Sequence, residues 1–515
     1  MIAKDSRRGF SFSRRGFLGA LVIAGGLPVG IARAAAGAKP VRFGLSSFPP
    51  NLHPFEYTGT ASLTVKLMLY RGLLSYAPDG TLRPELAQEW RQVDPVTYEF
   101  VLRENARFHD GTPVLAEDVK YSFELIADEK STAHLRKDFQ IVKTFEVFGE
   151  RSLRIVLKQP SVTFPQVLAA GYAVVVSRRS AAPNFIGAGP FTLDNVERGS
   201  SVTVKAFPEF FRAGVPGPSA IHFIAMPDES LRIAALESGD VDIIEYVSTQ
   251  YFDRLKNGAD VGLESANGPF MYLLFNVQEG PFTDPRLRHA VACGIDRNAV
   301  NAAAFSGVGT PFDHLPVPPS PAYDAALVSE RFGYDPARAK ALLAEAGVGG
   351  GLVIELLSTS QYAQHNDTAL VIQQNLAEIG INANLSLPDW ATRVSRGNRG
   401  QYHLAVQGTA GAFNDPDAVS AYIEGGQVPS YTRPFGYNNA RVNELLSAGR
   451  QEMDNAKRQK IYAEIDGLIV QDAPLLSLLW RPQAYGVRRS IRNFAPLPGF
   501  LSFQSALRLE DVTSA

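Results

Sequence analysis

Apolar residues recur at every second position in short stretches of this chain, and between those stretches they recur three and four apart. The first pattern predicts strands at residues 41–45, 98–102, 153–157, 202–206, 221–225, 241–244, 271–276, 352–357, 381–387 and 475–480. The second predicts helices with marked ends. Asp335-Pro336 supplies a capping carboxylate and a first-turn proline, Ala339, Leu342, Leu343 and Ala346 share a face, and Gly347 ends the run. Ala369, Ile372, Leu376 and Ile379 repeat the spacing before Gly380, as Ile461, Ile465 and Leu468 do before Pro474. Helix and strand in alternation predict α/β layering.

Punctuation suggests how these elements are grouped. Ser265-Ala266-Asn267-Gly268-Pro269 has turn chemistry and predicts a boundary between two strand-rich blocks. Pro311, Pro316, Pro318, Pro319 and Pro321 predict an extended crossing loop. No internal repeat or low-complexity tract interrupts the chain, and 515 residues exceed what one core holds, so two or three domains are expected.

The N-terminus reads differently from the rest. Ser13-Arg14-Arg15-Gly16-Phe17-Leu18 leads into an apolar, glycine-rich stretch ending at Ala32-Arg33-Ala34. Gly25, Gly26, Pro28 and Gly30 break it, and it is shorter than the roughly 20 apolar residues of a spanning helix. Paired arginines, a short apolar segment and a small-residue step predict a twin-arginine signal peptide over residues 1–34. Those residues hold Lys4, Arg7, Arg8, Arg14, Arg15 and Arg33 against Asp5, so their removal takes the net charge from −2 to −7. A mildly acidic exported chain has no basic field for nucleic acid or an anionic membrane. Its one cysteine, Cys293, excludes a disulfide framework. It lies far from the cleavage step, so it is no lipid-anchor site, and its helical setting predicts a buried apolar residue.

Twin-arginine export often carries cofactor proteins, so cofactor and catalytic motifs matter here. The chain has no Gly-x-Ser-x-Gly elbow, no His-Glu-x-x-His and no P-loop. Gly347 to Gly351 follows a helix and precedes a strand, the reverse of a dinucleotide fingerprint. The histidines at 53, 109, 134, 222, 289, 314, 365 and 403 show no metal-ligand spacing. Asp415/Asp417 and Asp240/Asp242 read as turn and capping groups rather than an acid/base pair. Neither cofactor nor metal is expected, and no enzyme activity.

A series of blocks resembles a known family. Leu69-Tyr70-Arg71-Gly72-Leu73-Leu74 precedes Pro84-Glu85-Leu86-Ala87-Gln88-Glu89-Trp90, then Tyr98-Glu99-Phe100-Val101-Leu102-Arg103 and Phe108-His109-Asp110-Gly111-Thr112-Pro113-Val114. Gly187-Ala188-Gly189-Pro190-Phe191, Ala235-Leu236-Glu237-Ser238-Gly239-Asp240 and Phe282-Thr283-Asp284-Pro285-Arg286-Leu287-Arg288 follow in order. This order is similar to the extracellular solute-binding proteins of ABC transporters, family 5, the dipeptide-, oligopeptide- and nickel-binding group. The resemblance implies an α/β, two-lobed periplasmic binding protein fold of class II type, with the ligand cleft between the lobes. Lobe I would hold residues 35–266, with an additional subdomain at about 80–190. Lobe II would hold 267–479, and 480–515 would return to lobe I.

By the same resemblance, four segments reach the cleft and supply ligand-binding candidates. The first gives Phe48, Asn51 and His53, and the crossing gives Asn267 and Tyr272. Trp390 and Arg393 form the third group, and Phe413, Asn414 and Asp415 the fourth, with Trp480 at the return. Peptide-binding members carry a tryptophan and an aspartate where Thr409 and Ala412 stand, and dipeptide binders an arginine near Ser358-Thr359-Ser360-Gln361. A buried ligand charge needs a partner, so a free dipeptide is disfavoured. An opine-like, modified amino acid or sugar-conjugate solute is expected ahead of a longer peptide, and nickel finds no specific support. The expected role is the periplasmic substrate-binding component of an ABC importer, a soluble monomer that delivers its solute to permease subunits after passage through the twin-arginine translocase. A secreted hydrolase on a two-lobed scaffold and a binding protein serving a chemoreceptor are the alternatives.

Overall fold

The computed structural model describes residues 38–318, 332–349 and 351–514. The signal-peptide expectation and the end of the proline-rich loop lie outside them.

Two long antiparallel strands, Val261–Phe275 and Leu475–Arg488, run through the middle of the molecule. On one side the sheet continues through Ile243–Glu245, Val41–Leu45, Ala220–Ala225, Ser201–Ala206 and Phe191–Glu197. On the other it continues through Leu404–Thr409, Leu352–Leu357 and Ile381–Ser386. Each half has parallel pairs that read as apolar runs, because both their faces are covered. The two halves are the cores of two lobes.

Pairing between the long strands changes register between Asn267 and Phe270, opposite Pro482 and Trp480. The turn expected at 265–269 is therefore a bulged strand. Gly268 permits it, because a Cβ there would sit 1.8 Å from the Gly499 carbonyl oxygen. Likewise the strand expected to end at 480 continues to Arg488. Alternation alone cannot mark a bulge, where one residue is skipped and the chain continues.

A separate antiparallel sheet, ordered Ala87–Asp94, Thr97–Leu102, Ser152–Leu157, Val142–Gly149, forms a layer on the first lobe. The helix Ala116–Ala127 packs Val119, Phe123 and Ile126 on it, each fully buried. At about 1.5–3 kcal/mol per buried side chain, these three anchor the helix. Phe108 is buried in the same core, and Trp90 is half-buried and stacked on Phe100 at 6.4 Å. In the second lobe Asp284, Asp296 and Asp335 each cap a helix by accepting a backbone N–H. Each cap contributes about 0.5–2 kcal/mol. Cys293 is buried and unpaired, and burial pushes its thiol up.

Candidate functional site

In open α/β sheets the crevice lies beyond the carboxyl ends of the strands. Here those ends converge from both lobes. Ile243–Glu245 delivers Tyr246, Leu352–Leu357 leads to Tyr362 and His365, and Ile381–Ser386 leads to Trp390 and Arg393.

The rings form a continuous belt that passes from lobe to lobe twice. His134 stacks on Tyr57 at 5.1 Å, with Tyr172 edge-on at 5.9 Å from Tyr57. Tyr57 then stacks on Tyr431 of the other lobe at 6.4 Å, and Tyr431 meets Trp390 at 5.6 Å. Trp390 meets Tyr362 at 5.2 Å, and Tyr362 stacks on Tyr246 back across the cleft at 5.5 Å. Tyr57, Tyr246 and Tyr362 are densely surrounded by protein, yet each keeps part of its surface exposed.

Tyr172 Oη, Glu245 Oε2, His365 Nδ1, Gln407 Oε1, Gln483 Nε2 and Ser502 Oγ are buried with no hydrogen-bond partner among the described residues. Buried polar atoms are normally paired, and of these His365 Nδ1 and Tyr172 Oη belong to rings that contact the belt. Burial holds His365 well below the ordinary histidine range, and Arg393 and Arg481 add to it. Burial likewise lowers Lys66 to about 8, its ammonium donating to the Glu56 carbonyl at 2.7 Å and to Thr58 Oγ1 at 3.3 Å.

Outside the belt the lobes are tied by direct contacts. Lys137 pairs with Glu424 at 3.2 Å, the Val162 N–H donates to the Arg450 carbonyl at 2.9 Å, and Gln504 Nε2 donates to the Ala412 carbonyl at 2.8 Å. An open surface depression of about 900 Å³, lined by Ala440, Asn443, Glu444 and Ser447 among others, shares no residue with the belt. Among the described residues no group of three or more His, Cys, Asp or Glu is placed to hold a metal.

The family model described as bacterial extracellular solute-binding proteins, family 5 Middle, matches residues 81–429. The chain belongs to this family. Like other family 5 proteins it is a periplasmic substrate-binding protein of an ABC importer. It is 37% identical to AgaA from A. tumefaciens R10, solved in complex with agropinic acid, at a TM-score of 0.86, covering 92% of this chain and 99% of that one. The glutathione-binding protein GsiB of Escherichia coli (strain K12) is 27% identical over 495 residues, 92% of this chain and 96% of GsiB. The periplasmic binding protein DppA of Helicobacter pylori, at 20% identity and a TM-score of 0.83, covers 92% of this chain and 98% of its own, and shares the fold. No helix among the described residues of this family 5 protein is long and apolar enough to cross a membrane.

The sequence-derived positions fall into distinct settings in the family 5 chain. Trp390 and Arg393 are in the belt. Tyr272 is fully buried beneath it, donating its hydroxyl to the Thr432 carbonyl at 2.6 Å. Trp480 stacks on Phe312 at 4.7 Å, and Phe413 is buried in the same apolar core. Phe48 packs half-buried against that core. Asn51 is exposed and turns its side chain onto the His53 N–H and Glu56, while the His53 ring packs between Phe55 and Phe185. Asn267 is exposed at the register break. Asn414 ties the C-terminal return through Pro498 and Phe500. Asp415 caps the turn at Asp417 and takes two hydrogen bonds from Arg458, at 3.0 and 2.8 Å, so its charge is already matched.

The sequence reading did not single out Tyr57, His134, Tyr172, Tyr246, Tyr362, His365, Tyr431, Arg481 and Phe503 as site residues. Tyr246 and Tyr362 follow strand ends closely, a signal available in the sequence. Tyr57, Tyr172 and Tyr431 lie on loops with no such marker, and only folding brings them together.

Proposed function

We propose that this chain captures a carboxylated sugar- or polyol-type amino acid conjugate, opine-like in chemistry, by closing its lobes around it, and releases it to the permease unchanged. The observation that carries this reading is the belt, in which rings of the two lobes stack on each other and Tyr172 Oη and His365 Nδ1 stay unpartnered. Rings supply flat apolar walls and the polar atoms fix orientation, as in other small-molecule sites. AgaA, whose bound ligand is agropinic acid, has 37% identity to this chain. Thr409 and Ala412 at the peptide-anchor positions weigh in the same direction, against a free dipeptide.

In this reading the lobes divide at 35–266 with 480–515 on one side and 267–479 on the other, and the register break at Asn267 to Phe270 is where they hinge. The ligand-contacting residues are those of the belt, with Trp390 and Arg393 among them. Residues 1–34 direct export through the twin-arginine translocase, and the product acts as a monomer without bond chemistry.

Small-angle scattering and Trp390 fluorescence, recorded while agropinic acid, glutathione or Met-Leu is added, test the reading. Agropinic acid should compact the particle and change the fluorescence at micromolar concentration, and Met-Leu should do neither. Chemical conversion of the bound solute, or compaction by Met-Leu alone, would count against it.

A further inference from the structure

We propose that Arg393 and Arg481 form a two-sided anion trap: the solute presents a carboxylate that both guanidinium groups share, and that charge is what allows the lobes to close. This rests on the carrier reading above and adds to it a required charge and a place for it.

Both side chains are buried, at 0% and 2% exposure. Arg393 donates only to carbonyl oxygens, those of Tyr431 at 3.3 Å and Val406 at 2.8 Å. Arg481 donates to the Pro482 carbonyl and to Gln483 Oε1, each at 3.3 Å. Nε of each guanidinium is buried with no partner. Neither forms an ion pair among the described residues, and the charged-form partners around them are tyrosine rings. Arg71 and Arg458, just as deeply buried, are paired with Glu85 and Glu510, and with Asp415. A buried cation with no counter-ion is costly. Arg232, Arg288 and Arg297 are also buried on carbonyl oxygens alone, and what sets Arg393 and Arg481 apart is that each stands against rings of the belt.

The two groups come from opposite sides. Arg393 lies on the helix Trp390–Asn398 of the second lobe, 5.9 Å from the Trp390 ring and 5.5 Å from the Tyr431 ring. Arg481 falls in the register break of the long strands and stands 5.8 Å from each of the Tyr246 and Phe503 rings of the first lobe. Both act on His365 beside Trp390 and Tyr362, where burial, first, and then the two cations hold its pKa well below the ordinary histidine range. The nearby Glu245 forms no ion pair with either among the described residues; its Oε1 accepts from Ser46 N and Oγ at 2.9 and 2.7 Å, and its cationic neighbour is Arg232.

Closing the lobes thus leaves a buried, acid-free cation on each side of the belt. An anion held between the lobes is attracted from both sides, so an anionic solute binds the closed form selectively. A planar carboxylate suits guanidinium geometry. The free Gln407 Oε1, Gln483 Nε2 and Ser502 Oγ atoms then meet hydroxyls on the rest of the solute. The class is a carboxylated polyhydroxyl compound.

The test compares wild type, Arg393→Met and Arg481→Met, each purified from periplasm, by native mass spectrometry, followed by melting after removal of bound solute. The wild type should carry or bind an anion and should be stabilised by agropinic acid but not by its methyl ester. Each variant should lose at least thirtyfold in affinity, while its solute-free melting temperature rises by several degrees because an unpaired charge is gone. Equal binding of acid and ester, a neutral or cationic solute in the wild type, or no solute and no response to either probe would overturn the trap. Conversion of the solute by the wild type would instead sink the carrier reading, with the arginine dependence of binding still standing.

Discussion

Asn414 accepts a hydrogen bond from the Phe500 N–H at 2.8 Å and donates one to the Pro498 carbonyl at 3.1 Å, tying a second-lobe loop to the C-terminal return. Asn414→Ala leaves that N–H and carbonyl unpaired when the lobes are closed. An unpaired buried group costs about 1–3 kcal/mol, so solute affinity should fall about tenfold or more by calorimetry. Secondary structure by circular dichroism should be unchanged. Unaltered affinity would mean that this contact does not report on closure.

Gly268 and Gly467 predict opposite signs for the same substitution. Gly268→Ala forces a Cβ to 1.8 Å from the Gly499 carbonyl oxygen, a backbone atom that cannot rotate away. It should lower the urea midpoint and weaken solute binding by more than tenfold. Gly467 lies inside the helix Asn455–Asp472 with nothing within 4 Å of its Cβ position. Gly467→Ala should stabilise the protein by up to about 1 kcal/mol and leave binding alone.

Tyr246 and Tyr362 stack across the cleft at 5.5 Å with planes 28° apart. Replacing either with alanine should weaken solute binding. A double-mutant cycle on solute affinity should give a coupling of about 0.5–1.5 kcal/mol, the usual worth of an aromatic pair. Additive losses would show that the rings act separately.

Glu510 sits among Arg71, Arg83 and Arg212, with hydrogen bonds of 2.6, 3.1 and 2.7 Å. Burial alone pushes this carboxyl up, and the three guanidinium groups outweigh it and hold it down to about 2. Because the folded value is depressed, its contribution to stability is full above the ordinary glutamate range and is lost as pH falls from about 4.5 toward 2. Urea unfolding should weaken through that window. Glu510→Gln should remove about 3–5 kcal/mol at pH 7, since it strands buried cations, and should flatten the acid dependence. A variant as stable as wild type would show that the cluster is not what fastens residues 499–511.

Much of the local structure was legible from residue order. Alternation located Val41–Leu45, Ser152–Leu157 and Leu352–Leu357, because one residue in two must face a core on a strand. Asp335 and Gly347 marked their helix because unpaired N–H groups and a left-handed exit favour those residue types. The blocks running from Tyr70 to Arg288 carried the family. Trp390 and Arg393 were legible as cleft residues only through that resemblance.

The sequence by itself determined the elements and their α/β alternation, because these depend on spacing and residue type, while the two lobes and the reading of Thr409 and Ala412 came through the family resemblance. Only the tertiary structure decided which charges are matched. Arg458 lies 43 positions from the Asp415 it neutralises, while Arg393 and Arg481, equally basic on paper, are buried with no ion pair among the described residues. A charge is satisfied by whatever lies within a few ångströms, and in this chain the separation along the sequence carries no record of that distance.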